Sequence, residues 1–384
     1  MNQVPGKVAS AAGTAASPAT DARRRTRGTR RKRAVLTTLG PRNIGAVYVL
    51  VIICVLFTVV NPGSFAQSST IALVLDSSAI TAMAALAIIV PLSARVFDLS
   101  FAYTMSLAGV TTAHFLVDTH VGLTVSILLG LLVGLVIGMI NCFVVVVMKI
   151  DSFIGTLATG SLVLAFITFV TNGATVNGTQ LTGTFARLYS RELGGLILPV
   201  YYAVAIAIVL WLLLDHTATG RRLYAVGFNP DAARLANIPV NRLRVGALLA
   251  SSIVAAFAGI VLAASTSSGS TDAGTPYLLS AYATAFLGAT QFKGGRFNAW
   301  GTLTAVLMLQ TGITGLALAG APPWAADMFT GVMLIAALSA TGWQRRARRG
   351  DAGALRKVRR KREALPRVAP PSESSVGVIR TPAE

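Results

Sequence analysis

Apolar stretches about twenty residues long recur through this chain, and that recurrence limits its fold more than any single residue does. A helix needs roughly 20 residues to cross a ~30 Å hydrocarbon core. By that measure ten candidate spans lie at 44–60, 71–92, 99–117, 121–148, 153–171, 196–214, 244–264, 276–291, 298–318 and 325–341. A backbone in hydrocarbon must satisfy its own hydrogen bonds, so the expected fold is all-α, a polytopic membrane helix bundle. Only 12% of the residues are charged, about half the share with which a soluble domain covers its surface. The 121–148 stretch exceeds what one span needs and is expected to tilt or protrude. Arg23–Arg33 precedes the first apolar stretch as it would in a signal peptide, but Asn61-Pro62-Gly63 reads as a turn rather than a cleavage site. The first stretch is therefore expected to remain as a helix.

Charge divides the chain into three parts. The net charge of +19 sits mainly in two tails, 1–43 at +9 and 342–384 at +8, and the apolar middle carries +2. Both tails are expected to be disordered and to meet anionic lipid headgroups; nucleic acid is not the expected partner. Between them lies a membrane domain, 44–341. With the amino terminus in the cytoplasm, the inner segments are 1–43, 93–98, 149–152, 215–243, 292–297 and 342–384. Counting Arg244 at the edge of the long loop, 31 of the 33 Lys and Arg then lie inside, and only Arg187 and Arg191 lie outside. Basic residues concentrate on the cytoplasmic side of membrane proteins, so both termini are expected in the cytoplasm, with an even number of spans.

Within the spans, Gly130, Gly134 and Gly138 recur every fourth residue. That spacing stacks them on one helix face and predicts close helix packing. Asp76 and His114 are ionisable side chains inside spans; such groups face protein or water and mark a pathway. Ser77 and Ser78 stand beside Asp76 to satisfy it. Cys54 and Cys142 form neither a disulfide pattern nor a metal spacing, and no metal or cofactor is expected. No G-x-x-x-x-G-K-[ST] motif occurs, so the chain is not expected to hydrolyse ATP, and no other catalytic motif points to an enzyme.

The long inner loop, 215–243, is the most informative segment. Asn229 is a good N-cap, Pro230 suits the first helical position and Asp231 complements the positive helix end. Pro239 disfavours helix at Ile238. These signals frame a helix of about two turns carrying Ala232, Ala233, Arg234 and Leu235. A helix that short is marginal alone and needs something to dock against. Either the chain's own membrane ends or a partner would serve.

The wording of this loop, Gly220-Arg-Arg-Leu-Tyr-Ala-Val-Gly227 through Asn229-Pro-Asp-Ala-Ala-Arg-Leu235 to Ile238, resembles the coupling loop of ribose/monosaccharide-type permeases of binding-protein-dependent ABC importers. Phe97-Asp98-Leu99-Ser100 resembles that family's early I-D-L-S motif, and Phe153-Ile154-Gly155-Thr156-Leu157-Ala158-Thr159 its F-I-x-T-L-x-T. Leu287 to Arg296, followed by Gly301-Thr302-Leu303, resembles its late glycine motif. Arg95-Val96 departs from the family, which typically has Gly-Gly there, as does Phe101-Ala102-Tyr103, where V-G-S is usual. The resemblance covers roughly 44–341 and implies a separate ABC ATPase subunit that pushes the Asn229–Ile238 helix. It also implies a second permease subunit around a central path and an external solute-binding protein meeting the 172–195 loop at Arg187, Arg191 and Glu192. Asp76, Ser77, Ser78, Asp98, Ser100, Thr156 and Thr159 are the candidates for the path. The implied function is import of a small polar solute such as a monosaccharide. A branched-chain amino acid permease of the same superfamily and an ion-coupled secondary carrier are the alternatives.

Overall fold

The computed structural model describes residues 45–339 apart from 66, 120 and 291–294; the two basic tails, His120 and Lys293 lie outside the described residues. The apolar stretches fold as α1 (Gly45–Val60), α2 (Ser68–Ser93), α3 (Phe101–Val117), α4 (Leu123–Cys142), α5 (Ser152–Thr171) and α6 (Leu198–Trp211). Two helices of the 215–243 loop follow, α7 (Ala218–Phe228) and α8 (Pro230–Leu235), then α9 (Val240–Thr266), α10 (Tyr277–Ala289), α11 (Ala299–Leu318) and α12 (Trp324–Ser339). Among the described residues, six segments are long and apolar enough to cross a membrane, and α1, α3, α10 and α12 are shorter apolar helices. The fold is an all-α membrane bundle. The long fourth stretch continues past Cys142 as a π-helical turn, Phe143–Val147, and Leu212–His216 extends α6 in the same way.

Side-chain size decides which helices sit inside. Every residue of α2 from Ser78 to Ser93 is buried, in a stretch dominated by Ala, Ile and Ser. The inner face of α9 is similarly small, with Ser251, Ser252, Ala255, Ala256, Ala258 and Gly259 all buried. Small residues let backbones approach, which is how helices gain contact where lipid supplies no hydrophobic drive. α9 therefore packs against α2, α3 and α4 together, while α10 pairs with α11 and both lean on α2. Outward, large apolar side chains stay uncovered: Phe169 is 80% exposed and Ile335 68%. Rows of such residues on the outer helices form a surface suited to lipid tails.

The three glycines of α4 lie along one seam. A Cβ at Gly130 would strike the Thr112 hydroxyl of α3, one at Gly134 the Ala256 methyl of α9, and one at Gly138 would crowd Leu249 and Ser252. The tightest crossing joins α3 to α9, where a Cβ on Gly259 would strike the Met105 carbonyl. The segment between α5 and α6 is folded rather than loose. Val176–Asn177 (β1) pairs antiparallel with Ser268–Gly269 (β4), and Glu192–Leu193 (β2) with Leu196–Ile197 (β3). Between them Phe185 and Leu181 are buried against α3 and α9 neighbours, whereas Arg187, Arg191 and Glu192 are exposed.

A leucine at 259 has to displace backbone rather than a flexible side chain. Gly259→Leu is expected to cost about 1–3 kcal/mol and to lower the thermal unfolding midpoint in detergent. Gly246→Ala, with nothing within 4 Å of its Cβ, is expected to leave the midpoint unchanged or raised.

Candidate translocation and coupling site

The turn between α2 and α3 is a buried polar knot. Asp98 is fully buried; its Oδ1 accepts from the Ser100 backbone N–H at 3.1 Å and the Ser100 hydroxyl at 2.7 Å. The Asn141 side-chain amide of α4 donates to Ser100 Oγ at 2.6 Å. From α5, Thr156 Oγ1 accepts the Leu99 N–H at 2.9 Å and donates to the Ser152 carbonyl at 2.7 Å. From α10, the Tyr282 hydroxyl donates to the Asp98 carbonyl at 2.9 Å, with Phe97 and Phe101 against its ring. Three helices thus converge on one short loop, because a chain reversing inside protein needs partners for its exposed peptide groups.

Burial pushes the Asp98 carboxyl up from its ordinary value, and the Ser100 and Ser251 hydroxyls draw it partly back. Ser251 of α9 also faces the carboxylate.

The candidate path residues do not form one cluster. Asp98, Ser100 and Thr156 share the knot. Thr159, though buried, donates to Gly155 of its own helix. Asp76 lies near the other end of α2, roughly 25 Å away at ~1.5 Å per residue, and accepts from the Ile197 N–H at 3.4 Å. Ser77 and Ser78 do not satisfy Asp76: both hydroxyls donate to the Val74 carbonyl, the usual bond of a helical serine to its own preceding turn. His114 pairs through Nδ1 with Asp118 at 2.6 Å. Asn141, Ser251 and Tyr282 were not legible as site residues. Asn141, the single carboxamide of the 121–148 stretch, carried the clearest signal.

The 215–243 loop is a helical hairpin. The Thr217 hydroxyl oxygen accepts from the Gly220 N–H at 3.1 Å and starts α7. Asn229 caps α8, accepting from the Asp231 and Ala232 N–H groups at 3.1 Å each. The cap matches the sequence expectation, but the helix is shorter than two full turns. Asn237 takes the left-handed conformation (φ 59°), and the Ile238 N–H then bonds back to the Ala233 carbonyl at 3.0 Å. This bond closes α8 at Leu235 before Pro239 acts. Ala233 and Ile238 pack with Val226 and Val240, fixing α8 on α7 and the start of α9.

Two contacts tie the hairpin to the bundle. A Cβ on Gly227 would strike the Ser93 carbonyl at the last turn of α2, so the α7 backbone rests directly on that helix end. The Tyr224 hydroxyl donates to the Phe297 carbonyl at 2.7 Å, with the Arg296 guanidinium 5.5 Å over its ring; burial raises its pKa above the ordinary tyrosine value. Behind Phe297, Asn298 caps α11 by accepting from the Gly301 N–H at 2.7 Å. Gly288 and Gly301 bring the α10 and α11 backbones together there. On the opposite side, Phe228 and Leu235 are each 91% exposed. No described residue covers them.

Residues 70–338 match the family described as branched-chain amino acid transport system / permease component. The chain belongs to that family. It is 34% identical over 301 residues to the L-arabinose transport system permease protein AraH of Escherichia coli (strain K12), across 78% of this chain and 90% of that protein. It is 31% identical over 297 residues to the ribose import permease protein RbsC of Bacillus subtilis (strain 168), across 77% and 92%. The fructose import permease protein FrcC of Rhizobium meliloti is 29% identical over 304 residues, across 78% and 84%. No solved structure matches. Family membership and the apolar helices make this a multi-pass protein of the plasma membrane. Its relatives are transport components, so the knot and the hairpin are read as parts of a permease.

Thr156 joins two elements where Thr159 serves only its own helix. Thr156→Val is expected to strip the acceptor from Leu99 and cost about 1–3 kcal/mol, while Thr159→Val costs well under half as much. Thermal unfolding of both variants in detergent tests the difference.

Proposed function

We propose that this chain is the membrane-spanning subunit of an ABC importer that carries a monosaccharide inward, with ATP hydrolysis on a separate subunit. The observation that carries the reading is the α7–α8 hairpin. It offers Phe228 and Leu235 to a partner on one side and rests on the end of α2 through Gly227 on the other. A helix of six residues, capped by Asn229 and pinned by Ala233, is a rigid knob through which a partner's movement reaches α2, α9 and the Asp98 knot.

The topology belongs to the same reading. If the six long helices and the four shorter apolar ones each cross, the chain spans the bilayer ten times with both termini and the hairpin in the cytoplasm. The asymmetry of Lys and Arg supports that arrangement. A second permease subunit then completes the path, and a solute-binding protein docks outside over the 172–195 segment, where Arg187, Arg191 and Glu192 are exposed. The path runs from the Asp76 end of α2 to the Asp98 end, with Ser77, Ser78, Ser100, Thr156 and Thr159 along it. The sugar reading follows the arabinose, ribose and fructose permeases among the relatives. Branched-chain amino acid import stands second, supported by the family's own description.

Phe228→Asp and Leu235→Asp leave the bundle's buried residues untouched. Each is expected to reduce capture of the ATPase subunit at least tenfold and to abolish uptake of radiolabelled pentose, with normal protein levels in the membrane. Uptake that survives either change, or deletion of 229–238, would contradict the coupling role. Uptake of leucine rather than pentose by the wild type would transfer the assignment to amino acids.

A further inference from the structure

At the end of the bundle that carries the hairpin, a cavity of about 540 Å³ opens between the α2–α3 turn, the end of α4, the α4–α5 turn, α8 and the first turn of α9. Four cationic side chains from four segments line it: Arg95, Lys149, Arg234 and Arg244. One carboxylate, Asp151, shares the lining, and both it and the neighbouring Asp231 are already engaged. Asp151 caps α5, accepting from the Phe153 N–H at 3.0 Å and the Ile154 N–H at 3.5 Å. Asp231 is held by Arg234 at 2.9 Å. Arg244 Nε is buried and has no hydrogen-bond partner among the described residues. A buried guanidinium N–H without an acceptor is costly, and like charges sharing one cavity repel. A ligand with several anionic oxygens answers both. Arg95 and Lys149 enter the cavity wall from backbone in the left-handed region, at φ 58° and 59°, where side chains other than glycine are uncommon.

The cavity's border indicates the source of the anion. Ile150 belongs both to its wall and to the exposed apolar surface. Beside it Met148, Phe153 and Ile154 are uncovered, Ile154 to 64%. A soluble anion has no use for such a border. A phospholipid does, because its phosphate can enter the basic cavity while its chains lie along α4 and α5. We propose that this pocket binds the phosphate of an anionic phospholipid of the cytoplasmic leaflet. Because Arg234 lies on α8, an occupied pocket braces the helix that meets the ATPase. The leaflet assignment rests on the topology proposed above. The test reads binding rather than uptake, so failure of the importer reading leaves its outcome intact.

The experiment is native mass spectrometry of the full-length protein in neutral detergent, titrated with phosphatidylglycerol or phosphatidylcholine. The wild type is expected to retain one phosphatidylglycerol per chain and to show no comparable affinity for phosphatidylcholine. Arg95→Gln/Lys149→Gln/Arg244→Gln is expected to weaken that binding about a hundredfold, at roughly one charge contact each. The tail variant Arg359→Gln/Arg360→Gln/Lys361→Gln removes the same charge and is expected to leave it unchanged. Arg244→Lys keeps the charge and is expected to bind within a few-fold of wild type, which preserves the test if the triple variant does not fold. Equal retention of the two lipids by the wild type, or unchanged binding by the folded triple variant, overturns the proposal. Displacement of the lipid by millimolar inorganic phosphate would assign the pocket to a free anion, and displacement by the ATPase subunit would assign it to a protein contact. Either result overturns the lipid assignment.

Discussion

The close approach of backbones holds this molecule together. Inside hydrocarbon, helices gain little from burying apolar side chains against one another, since lipid offers the same environment. They gain from van der Waals contact at short range, which small residues permit. Gly259 against the Met105 carbonyl sets the crossing of α3 and α9. Gly134 against Ala256 brings α4 onto the same pair, and Gly288 against Thr302 joins α10 to α11. Larger side chains at these positions would part the helices, and the Asp98 knot, whose partners come from α4, α5 and α10, would lose its geometry.

The same kind of contact reaches out of the bundle. Gly227 sets α7 directly against the last carbonyl groups of α2. A few residues further on, α2 turns into the loop that contains Asp98. The hairpin is therefore in backbone contact with the end of the most buried of the long apolar helices described.

The bundle was largely legible in the sequence because lipid imposes one strong rule, length of apolar run, which six of the described segments meet in full and four approach. The cap at Asn229 was legible too, since capping depends on residues a few positions apart. Contacts set by tertiary structure were not. α7 has no apolar run and no strong capping box; it exists because Gly220 and Gly227 let it press on neighbouring backbone. Asp76 and its two serines looked like one group by adjacency, but helical serines bond to their own preceding turn, and Asp76 finds a peptide group 121 residues away. The partners of the Asp98–Ser100 loop come from positions 141, 156 and 282, separations that no local pattern reveals. Arg95, standing where the resembling family has glycine, kept the left-handed turn and added a charge.

The central claim is that force passes from the hairpin to α2 through the Gly227 contact. Gly227→Val lengthens that contact while leaving Phe228 and Leu235 free to hold the ATPase. The decisive measurement is the ratio of sugar imported to ATP hydrolysed in proteoliposomes containing the permease, its ATPase and its binding protein. The account predicts that this ratio falls several-fold while the ATPase remains bound and active. A ratio equal to that of the wild type, with the variant folded and the complex intact, would contradict it.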